Sequence, residues 1–293
     1  MYAAAYAAAD LQASRRLSVT PGVRVDRFQR THATTISPRL AASLDLGRGT
    51  TARASVGRYT RPLFGAEYVR NDLKPEKAIH YVVGVEDKVT EGVTASVAGF
   101  YNDLGDLVVQ DRSLVVDDAL QAYINRGTGR AIGAEVGVRV RRAGFFGWLS
   151  YTASRATRDD QNGMGSRLFD YDQTHNLILV GSYKWRSWSF GGRWQFTTGE
   201  PFTPVDGSVF FSDLGVYLPE LARTNSGRYD NAHQLDLRVD RKWTFAAWNL
   251  SAYLDVTNVY AHARTQGYQY NFDYTEKQPI ASLPILPAFG VRV

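Results

Sequence analysis

The stretch His233-Gln-Leu-Asp-Leu-Arg-Val-Asp-Arg-Lys-Trp243 alternates between apolar and polar side chains. In an extended backbone one side carries Leu235, Leu237 and Val239, and the other carries Asp236, Arg238 and Asp240. This two-residue period is typical of a β-strand with one apolar and one polar face. A soluble sandwich and a membrane barrel with a wet interior both show it, so the rest of the chain has to distinguish them.

The amino-acid composition excludes several classes of function but does not identify the function. The 293 residues are 44% hydrophobic with a mean hydropathy of -0.30, and they contain no cysteine. No apolar run is long enough for an ordinary membrane-spanning helix. The absence of cysteine excludes disulfides, thiolate catalysis and cysteine-ligated metals. The 34 basic and 29 acidic residues are interleaved, which favours a solvated mixed surface over a nucleic-acid site.

The first ten residues, Met-Tyr-Ala-Ala-Ala-Tyr-Ala-Ala-Ala-Asp, are rich in alanine. They lack the basic start of a signal peptide, so we expect any export signal to lie upstream. Tyr2 and Tyr6 are spaced as in a helix, but we predict a strand of small residues here.

Extended segments recur along the whole chain, and we count about thirteen of them, many about ten residues long. Four clear examples start at Leu17, Ala134, Phe190 and Leu250. Soluble strands are nearer five or six residues. The length therefore favours strands that cross a bilayer.

The predicted connections alternate between short and long. Short links lie near 14–16, 47–50, 88–92, 141–144, 185–187 and 242–248, and longer loops near 63–78, 112–121, 157–170, 199–231 and 261–287. Only the link at 29–32 is short where a long one is due. Sorting by parity is expected of a barrel with tight periplasmic turns and long extracellular loops.

Tryptophan adds a third argument for a membrane barrel. Five of the six Trp residues flank predicted short turns, where an aromatic girdle belongs: Trp148, Trp185, Trp188, Trp243 and Trp248. We therefore predict that the charged side of the opening stretch faces a polar lumen and that its apolar side faces lipid. Apolar plugs at the ends of a sandwich are the alternative.

Several motifs resemble one known family in order and spacing. They are Leu73-Lys-Pro-Glu-Lys77, Gly99-Phe-Tyr-Asn-Asp-Leu-Gly-Asp-Leu-Val108, Tyr123-Ile-Asn-Arg-Gly-Thr-Gly-Arg-Ala-Ile-Gly-Ala-Glu135, Phe169-Asp-Tyr-Asp-Gln-Thr-His-Asn-Leu177, Thr198-Gly-Glu-Pro-Phe-Thr-Pro204 and Leu254-Asp-Val-Thr-Asn-Val-Tyr260. From about residue 17 to its end, the chain resembles the C-terminal portion of a TonB-dependent outer-membrane receptor barrel.

The resemblance implies an all-β fold, a transmembrane antiparallel up-and-down β-barrel of which about 12–14 strands are present. It also implies location in the Gram-negative outer membrane, contact with membrane lipid and lipopolysaccharide, and uptake of siderophore, cobalamin or glycan-type ligands. Neither an enzyme activity nor a cofactor is expected, and nucleic acid is not an expected partner.

The chain departs from the family pattern in three ways. It shows no plug domain, no TonB box and fewer strands than the family's 22, and the final Ala288-Phe-Gly-Val-Arg-Val293 lacks a terminal aromatic residue. We therefore expect residues 1–293 to be a single barrel domain from a larger or engineered barrel, with TonB contacted only through a missing N-terminal region. An odd strand count also predicts that closure needs further strands or an unusual pairing.

The ligand-binding candidates lie in the long loops and on the polar strand faces. They are Phe202, Phe210, Tyr217, Tyr268, Tyr270, Arg139, Arg193 and Arg238. Aromatic loops suit capture of a flat chelate or a sugar by stacking. Packing of the loops on one another explains the same rings equally well, and pairing with nearby carboxylates explains the arginines.

Other functions are weaker alternatives. A self-contained passive pore or smaller engineered barrel remains open, as does a soluble glycan-binding β protein. His175 and Ser182 suggest an outer-membrane hydrolase, but no nucleophile elbow accompanies them. The sequence 159–163 lacks the ligand pattern of a calcium loop, and no histidine has metal-ligand spacing, so no metal site is expected.

Overall fold

The computed structural model describes residues 2–29, 31–63, 73–116 and 120–293, with side chains described outside 111–122. No helix in this described part is long and apolar enough to cross a membrane. Its regular structure consists of strands. They are β1 (Tyr2–Ala8), β2 (Leu11–Gln12), β3 (Leu17–Phe28), β4 (Ala33–Gly47), β5 (Thr50–Arg61), β6 (Glu76–Thr90), β7 (Val93–Val116), β8 (Leu120–Arg142), β9 (Phe145–Asp159), β10 (Arg167–Leu168), β11 (His175–Trp185), β12 (Trp188–Thr197), β13 (Pro201–Phe202), β14 (Val205–Phe211), β15 (Val216–Leu221), β16 (Gly227–Arg228), β17 (Ala232–Thr244), β18 (Asn249–Thr257), β19 (Thr265–Tyr270), β20 (Lys277–Ala281) and β21 (Leu286–Arg292).

Thirteen strands form the main path of the sheet, and their order follows the chain: β1-β3-β4-β5-β6-β7-β8-β9-β11-β12-β17-β18-β21. The short strand β2 pairs with β3, and β10 pairs with β9. Three two-stranded sheets, β13-β16, β14-β15 and β19-β20, lie off the main sheet. Chain-order neighbours joined by hairpins are the topology of an up-and-down antiparallel barrel, as the sequence predicted. The alanine-rich start is strand β1, paired antiparallel with β3.

Tight turns join the strands at one end. They occupy residues 48–49, 91–92, 143–144, 186–187 and 245–248. Gly92 shows why such turns need glycine, because its φ is +85° and a Cβ there would lie 2.2 Å from the carbonyl oxygen of Arg141. Apart from the link at 29–32 and the three-residue link between β7 and β8, the connections alternate between short and long as predicted.

One predicted loop is wrong. Residues 112–116 belong to β7 and residues 120–121 to β8, so most of this stretch is strand. The β-branched residues Val115 and Val116 favour an extended backbone. Most of the predicted loop at 63–78 lies outside the described residues.

The register of β12, β17, β18 and β21 separates two faces. Phe190, Val239, Leu254 and Phe289 are aligned in one row across these strands, and Gly191, Arg238, Asp255 and Ala288 in the next. Leu254 is 50% exposed and Phe289 86% exposed, so the apolar row is an outer surface without a protein cover. An apolar exposed face opposite a charged face is the pattern of a barrel wall in a bilayer.

Trp148 does not lie on the lipid-facing side of the sheet, where the predicted aromatic girdle would place it. It lies opposite Val180 on β11, and Val180 lies opposite Arg193 on β12. Trp148 is therefore on the charged face of the sheet. Its distance in sequence from the turn correctly predicted which end of β9 it lies near. The strand register determines which face of the sheet it is on.

The chain divides into two compact units. One comprises Met1–Asp87, Val97–Ala134 and Arg155–Arg167, and the other comprises Lys88–Ser96, Glu135–Ser154 and Leu168–Val293. The first unit contains a small core of Leu63, Leu73 and Val108, against which Tyr123 packs. The buried Glu76 supports this core, because it accepts hydrogen bonds from Arg61 Nε at 2.6 Å and from the backbone amide of Val108 at 2.8 Å.

Candidate ligand-binding site

The connection between β12 and β17 is held by a buried ion pair. Arg228 Nη2 donates to Asp172 Oδ2 at 2.6 Å, and the Asp172 side chain is 1% exposed. Arg228 Nη1 also donates to the carbonyl oxygens of Asp172 and Gly199, at 2.9 and 2.7 Å. One guanidinium thus joins the loop before β11 to both ends of the β12–β17 connection. The planar fork of arginine is suited to such a clamp, because it has five donors in fixed directions.

Gly199 has to be glycine where the connection leaves β12. A Cβ at this position would lie 1.9 Å from the carbonyl oxygen of Tyr229. Next to this contact, the amide of Tyr229 donates to the carbonyl of Glu200 at 3.0 Å. The two ends of the connection therefore touch backbone to backbone, and a side chain would separate them.

Asn225 provides a third fixed point. Its φ is +58°, in the left-handed region that asparagine tolerates better than most residues. Its Nδ2 donates to Asp170 Oδ1 at 2.6 Å and to the carbonyl oxygen of Leu168 at 2.9 Å, while its amide donates to Thr203 Oγ1 at 3.1 Å. The segments 168–172 and 198–204 therefore form one hydrogen-bonded base for the loops.

A cavity of about 180 Å³ opens above this base. Its lining residues are Gly199, Glu200, Tyr229, Asp230, Arg264, Thr265 and Gln266. Glu200 Oε1 accepts from Arg264 Nη2 at 3.2 Å and from Gln173 Nε2 at 3.3 Å. The cavity therefore presents carboxylate, guanidinium, phenol and amide groups, which together can bind a polar ligand in one orientation.

An aromatic cluster adjoins the cavity through Tyr229, the one ring of the cluster that lines it. The ring centroids of Phe202 and Tyr229 are 4.5 Å apart, and Tyr268 lies 5.2 Å from Phe202 and 5.6 Å from Tyr229. Lys277 Nζ lies 4.5 Å from the centre of the Tyr268 ring, which is the geometry of a cation–π contact. Burial, followed by the neighbouring Tyr268, Tyr270 and Glu200, raises the pKa of the Tyr229 phenol, so this group remains a hydrogen-bond donor.

The predicted aromatic candidates separate into three groups. Phe202 and Tyr268 meet beside the cavity, where both contact its lining residue Tyr229. Phe210 contacts Tyr217 at 5.0 Å within the β14–β15 hairpin, and Tyr217 meets the edge of Phe272 at 5.6 Å. Tyr270 pairs with Tyr274 at 5.7 Å. None of these candidates lines the cavity; the first group contacts the lining residue Tyr229, and the other two are contacts between loop side chains.

The predicted arginines lie on strands and are not part of this cavity. Arg193 pairs with Asp236 at 3.2 Å, and Arg238 pairs with Asp240 at 2.8 Å and Asp255 at 3.2 Å. Arg139 is exposed on β8. The carboxylates balance the charges of Arg193 and Arg238, as expected for a charged face that faces water.

None of the seven residues that line the cavity was a predicted binding residue, and the ionisable ones among them are Glu200, Tyr229, Asp230 and Arg264. Glu200 stands within the motif Thr198–Pro204, and that position was the available signal. Arg264 gave none, because its partner Glu200 is 64 residues away along the chain. Tyr229 was visible only as one aromatic residue among several in the loop.

The structure also decides two weaker alternatives. His175 and Ser182 lie seven residues apart on β11 and so face opposite sides of the strand, which excludes them as a catalytic dyad. His175 Nδ1 instead bonds the Tyr151 hydroxyl at 2.8 Å. In the sequence 159–163, Asp160 pairs with Arg158 at 2.5 Å and Arg167 at 2.9 Å, so this carboxylate is used by two arginines.

The chain matches one family of known proteins. The family model described as TonB dependent receptor-like, beta-barrel, matches residues 1–259. This chain belongs to the TonB-dependent receptor family. Its fold is the transmembrane β-barrel of these receptors, whose members are outer-membrane proteins, and the long connections correspond to their extracellular end.

Solved structures of such receptors share the fold. The ferripyoverdine receptor of the outer membrane of Pseudomonas aeruginosa, bound to ferripyoverdine, is 18% identical with a TM-score of 0.70, over 99% of this chain and 38% of that chain. The ferric-catecholate import receptor Fiu of Escherichia coli K12 is 16% identical with a TM-score of 0.70, over 99% and 44%. The FrpB iron transporter of Neisseria meningitidis is 15% identical with a TM-score of 0.70, also over 99% and 44%.

The chain thus spans about two fifths of the length of these TonB-dependent receptors. No curated protein matches it. At these identities the likeness concerns the fold, and the ligand has to be argued from the loops of this chain.

Proposed function

We propose that the chain forms the loop-bearing part of a multi-pass receptor barrel in the Gram-negative outer membrane, which captures a ferric chelate of the siderophore type for TonB-dependent uptake. The polar cavity of Glu200, Tyr229 and Arg264 beside the Phe202–Tyr229–Tyr268 cluster carries this proposal. Residues 1–293 act in it as one barrel domain, and TonB engages a region outside these residues.

The chemistry of the cavity supports a chelate as ligand. Siderophore complexes combine flat or ring-shaped ligand groups with carboxylate, hydroxamate or catecholate oxygens. The Phe202–Tyr229–Tyr268 cluster offers stacking surfaces, while Arg264 and the Tyr229 hydroxyl offer donors to such oxygens. The three comparison structures are named for ferripyoverdine, ferric-catecholate and iron transport, which is in keeping with this choice.

A binding titration tests the proposal. Intrinsic tryptophan fluorescence of the protein purified from outer membranes is followed during addition of ferric catecholate, ferric hydroxamate, ferric citrate, cyanocobalamin or oligosaccharides. We expect saturable quenching by one class of ferric chelate. Phe202→Ala should weaken that binding about tenfold, because it removes the ring that stacks on Tyr229 of the cavity lining.

Phe210→Ala is the matched control, since Phe210 is a loop phenylalanine that stacks on Tyr217 away from the cavity. It should leave the affinity within about twofold of wild type. Saturation by cobalamin or an oligosaccharide alone would replace the chelate as ligand. Equal losses in both variants would show that loop packing, and not the cavity, controls binding.

A further inference from the structure

Arg241 is held between two tryptophans near the turn end of β17. Its guanidinium carbon lies 4.8 Å from the ring centre of Trp188 and 4.8 Å from that of Trp243. Within the described residues these two rings are the partners of the Arg241 side chain, and its buried Nε has no acceptor. A buried N–H that lacks an acceptor costs free energy.

The strand register puts Arg241 on the apolar face of the sheet. It lies opposite Trp188 on β12 and Ala252 on β18, and two residues from Val239 in the same row. The charged groups Arg238 and Asp240 belong to the other face. An unpaired cation therefore lies on the surface that meets lipid, apart from the ion pairs of Arg193 and Arg238 on the charged face.

Its depth can be read from the rings around it. Phe245 and Trp248 stack at 4.3 Å in the turn four to seven residues further along the chain. In the opposite direction, Trp188 stacks on Phe190 at 6.2 Å, and Phe190 begins the exposed apolar row with Val239 and Leu254. Arg241 thus lies where the aromatic girdle meets the hydrocarbon band, at the level of lipid headgroups.

We propose that Arg241, clamped by Trp188 and Trp243, binds the phosphate of a glycerophospholipid in the leaflet at the short-turn end of the barrel. The guanidinium donates to two phosphate oxygens, an arrangement that its planar fork matches. The stacked rings fix the plane of the guanidinium and shield the charge from water, which strengthens the bonds. The acyl chains lie along the adjoining row of Phe190, Val239 and Leu254.

Free phosphate shares the headgroup chemistry, but the apolar row beside Arg241 favours a lipid. A phosphate that carries acyl chains gains burial against that row, whereas a free phosphate would leave it bare. The short-turn end of a receptor barrel faces the periplasm, so the lipid belongs to the inner, phospholipid leaflet.

Lipid titration monitored by native mass spectrometry tests the site. The protein purified from outer membranes in detergent is titrated with phosphatidylglycerol, with phosphatidylethanolamine and with diacylglycerol. We expect one tightly bound phospholipid in the wild type and about tenfold weaker binding in Arg241→Gln, the loss typical of charge-assisted hydrogen bonds. Diacylglycerol lacks the phosphate and should bind both proteins equally.

Two further variants keep the test decisive. Lys242→Gln removes a charge from the next residue, which lies opposite Ser251 and faces the other side of the sheet, so it should bind phospholipid like the wild type. Arg241→Lys keeps the charge without the fork and should give an intermediate loss. Heat-modifiable gel mobility confirms that each variant is folded.

Three results would overturn the proposal. Unchanged phospholipid affinity in Arg241→Gln would show that Arg241 does not bind the headgroup. An equal loss in Lys242→Gln would reduce the effect to net charge. Displacement of the bound lipid by millimolar inorganic phosphate would assign the site to free phosphate instead of lipid.

Discussion

At the scale of single residues, the motif Thr198–Pro204 has three separate structural roles. Gly199 allows the two ends of the connection to touch, Glu200 accepts a hydrogen bond from Arg264, and Phe202 stacks on Tyr229, which lines the cavity. Asp172 in the motif Phe169–Leu177 anchors Arg228 beneath them. Motifs that are loose in sequence are thus explained by close contacts, each of which requires one residue type.

Gly199→Ala is expected to loosen the β12–β17 connection without unfolding the barrel wall. The new Cβ would lie 1.9 Å from the Tyr229 carbonyl, so the backbone has to move apart, and overpacking of this kind costs about 1–3 kcal/mol. In protein purified from outer membranes, limited proteolysis should cut residues 198–231 faster in the variant, while heat-modifiable mobility stays unchanged.

Gly181→Ala is the control, because a Cβ on Gly181 would have no atom within 4 Å. Its protease resistance should equal that of wild type. If Gly199→Ala were equally resistant, the contact with Tyr229 would not control the loop.

At the scale of elements, the strands form from the two-residue alternation of apolar and polar side chains, whereas the loops are held by specific polar contacts. The apolar row of β12, β17 and β18 needs only alternation, whereas β9 ends in an ion cluster. Asp160 follows β9 and joins Arg158 to Arg167 of β10. Burial alone would raise the pKa of Asp160, but the hydrogen bonds and charges of the two arginines lower it below its ordinary range.

This cluster predicts an acid-sensitive contribution to stability. A carboxylate whose pKa is lower in the folded than in the unfolded chain stabilises the fold above its unfolded pKa. That stabilisation is lost as the pH falls below about 4 and through the folded value. Thermal unfolding should show the wild type more stable than Asp160→Asn at neutral pH, with the difference shrinking at acid pH.

Asp213→Asn serves as control, since Asp213 lies in the exposed turn between β14 and β15 and contacts only Ser212 among the described residues. It should match wild type across the pH range. A pH-independent gap between wild type and Asp160→Asn would mean that the carboxylate charge is not what stabilises the cluster.

At the scale of the whole molecule, the chain-order sheet of thirteen strands determines how the barrel is built. An up-and-down order with an odd number of strands gives the first and last strands the same direction. Single-chain bacterial barrels close through antiparallel pairs, and unpaired backbone groups in lipid cost several kcal/mol each. Closure therefore bears on whether the 293 residues act alone as a passive pore.

We expect the 293-residue chain, refolded alone in detergent, to give no heat-shifted band and no discrete conductance steps in a planar bilayer. The reason is the parallel pair that closure would require. A shifted band together with regular conductance steps would contradict this expectation and favour the passive pore over the receptor part.

Most of the fold was predictable from local pattern, and the exceptions are instructive. The alternation in 233–243 identified the two faces of β17, and the loop parity identified the two ends of the barrel. Residues 112–116 of β7 and 120–121 of β8 were predicted as part of a loop, because no periodic pattern in the sequence marks where a strand ends and a loop begins. Trp148 was assigned to the girdle, but the register placed it on the charged face opposite Val180.

The sequence by itself determined the strand type, the strand number, the two faces and the family, because strand geometry writes its two-residue period directly into neighbouring residues. The tertiary structure alone decided which loop side chains meet. Glu200 and Arg264, or Phe202 and Tyr268, come together only when two distant connections fold onto one base. Such contacts depend on the packing of segments far apart in the chain, and no local pattern records them.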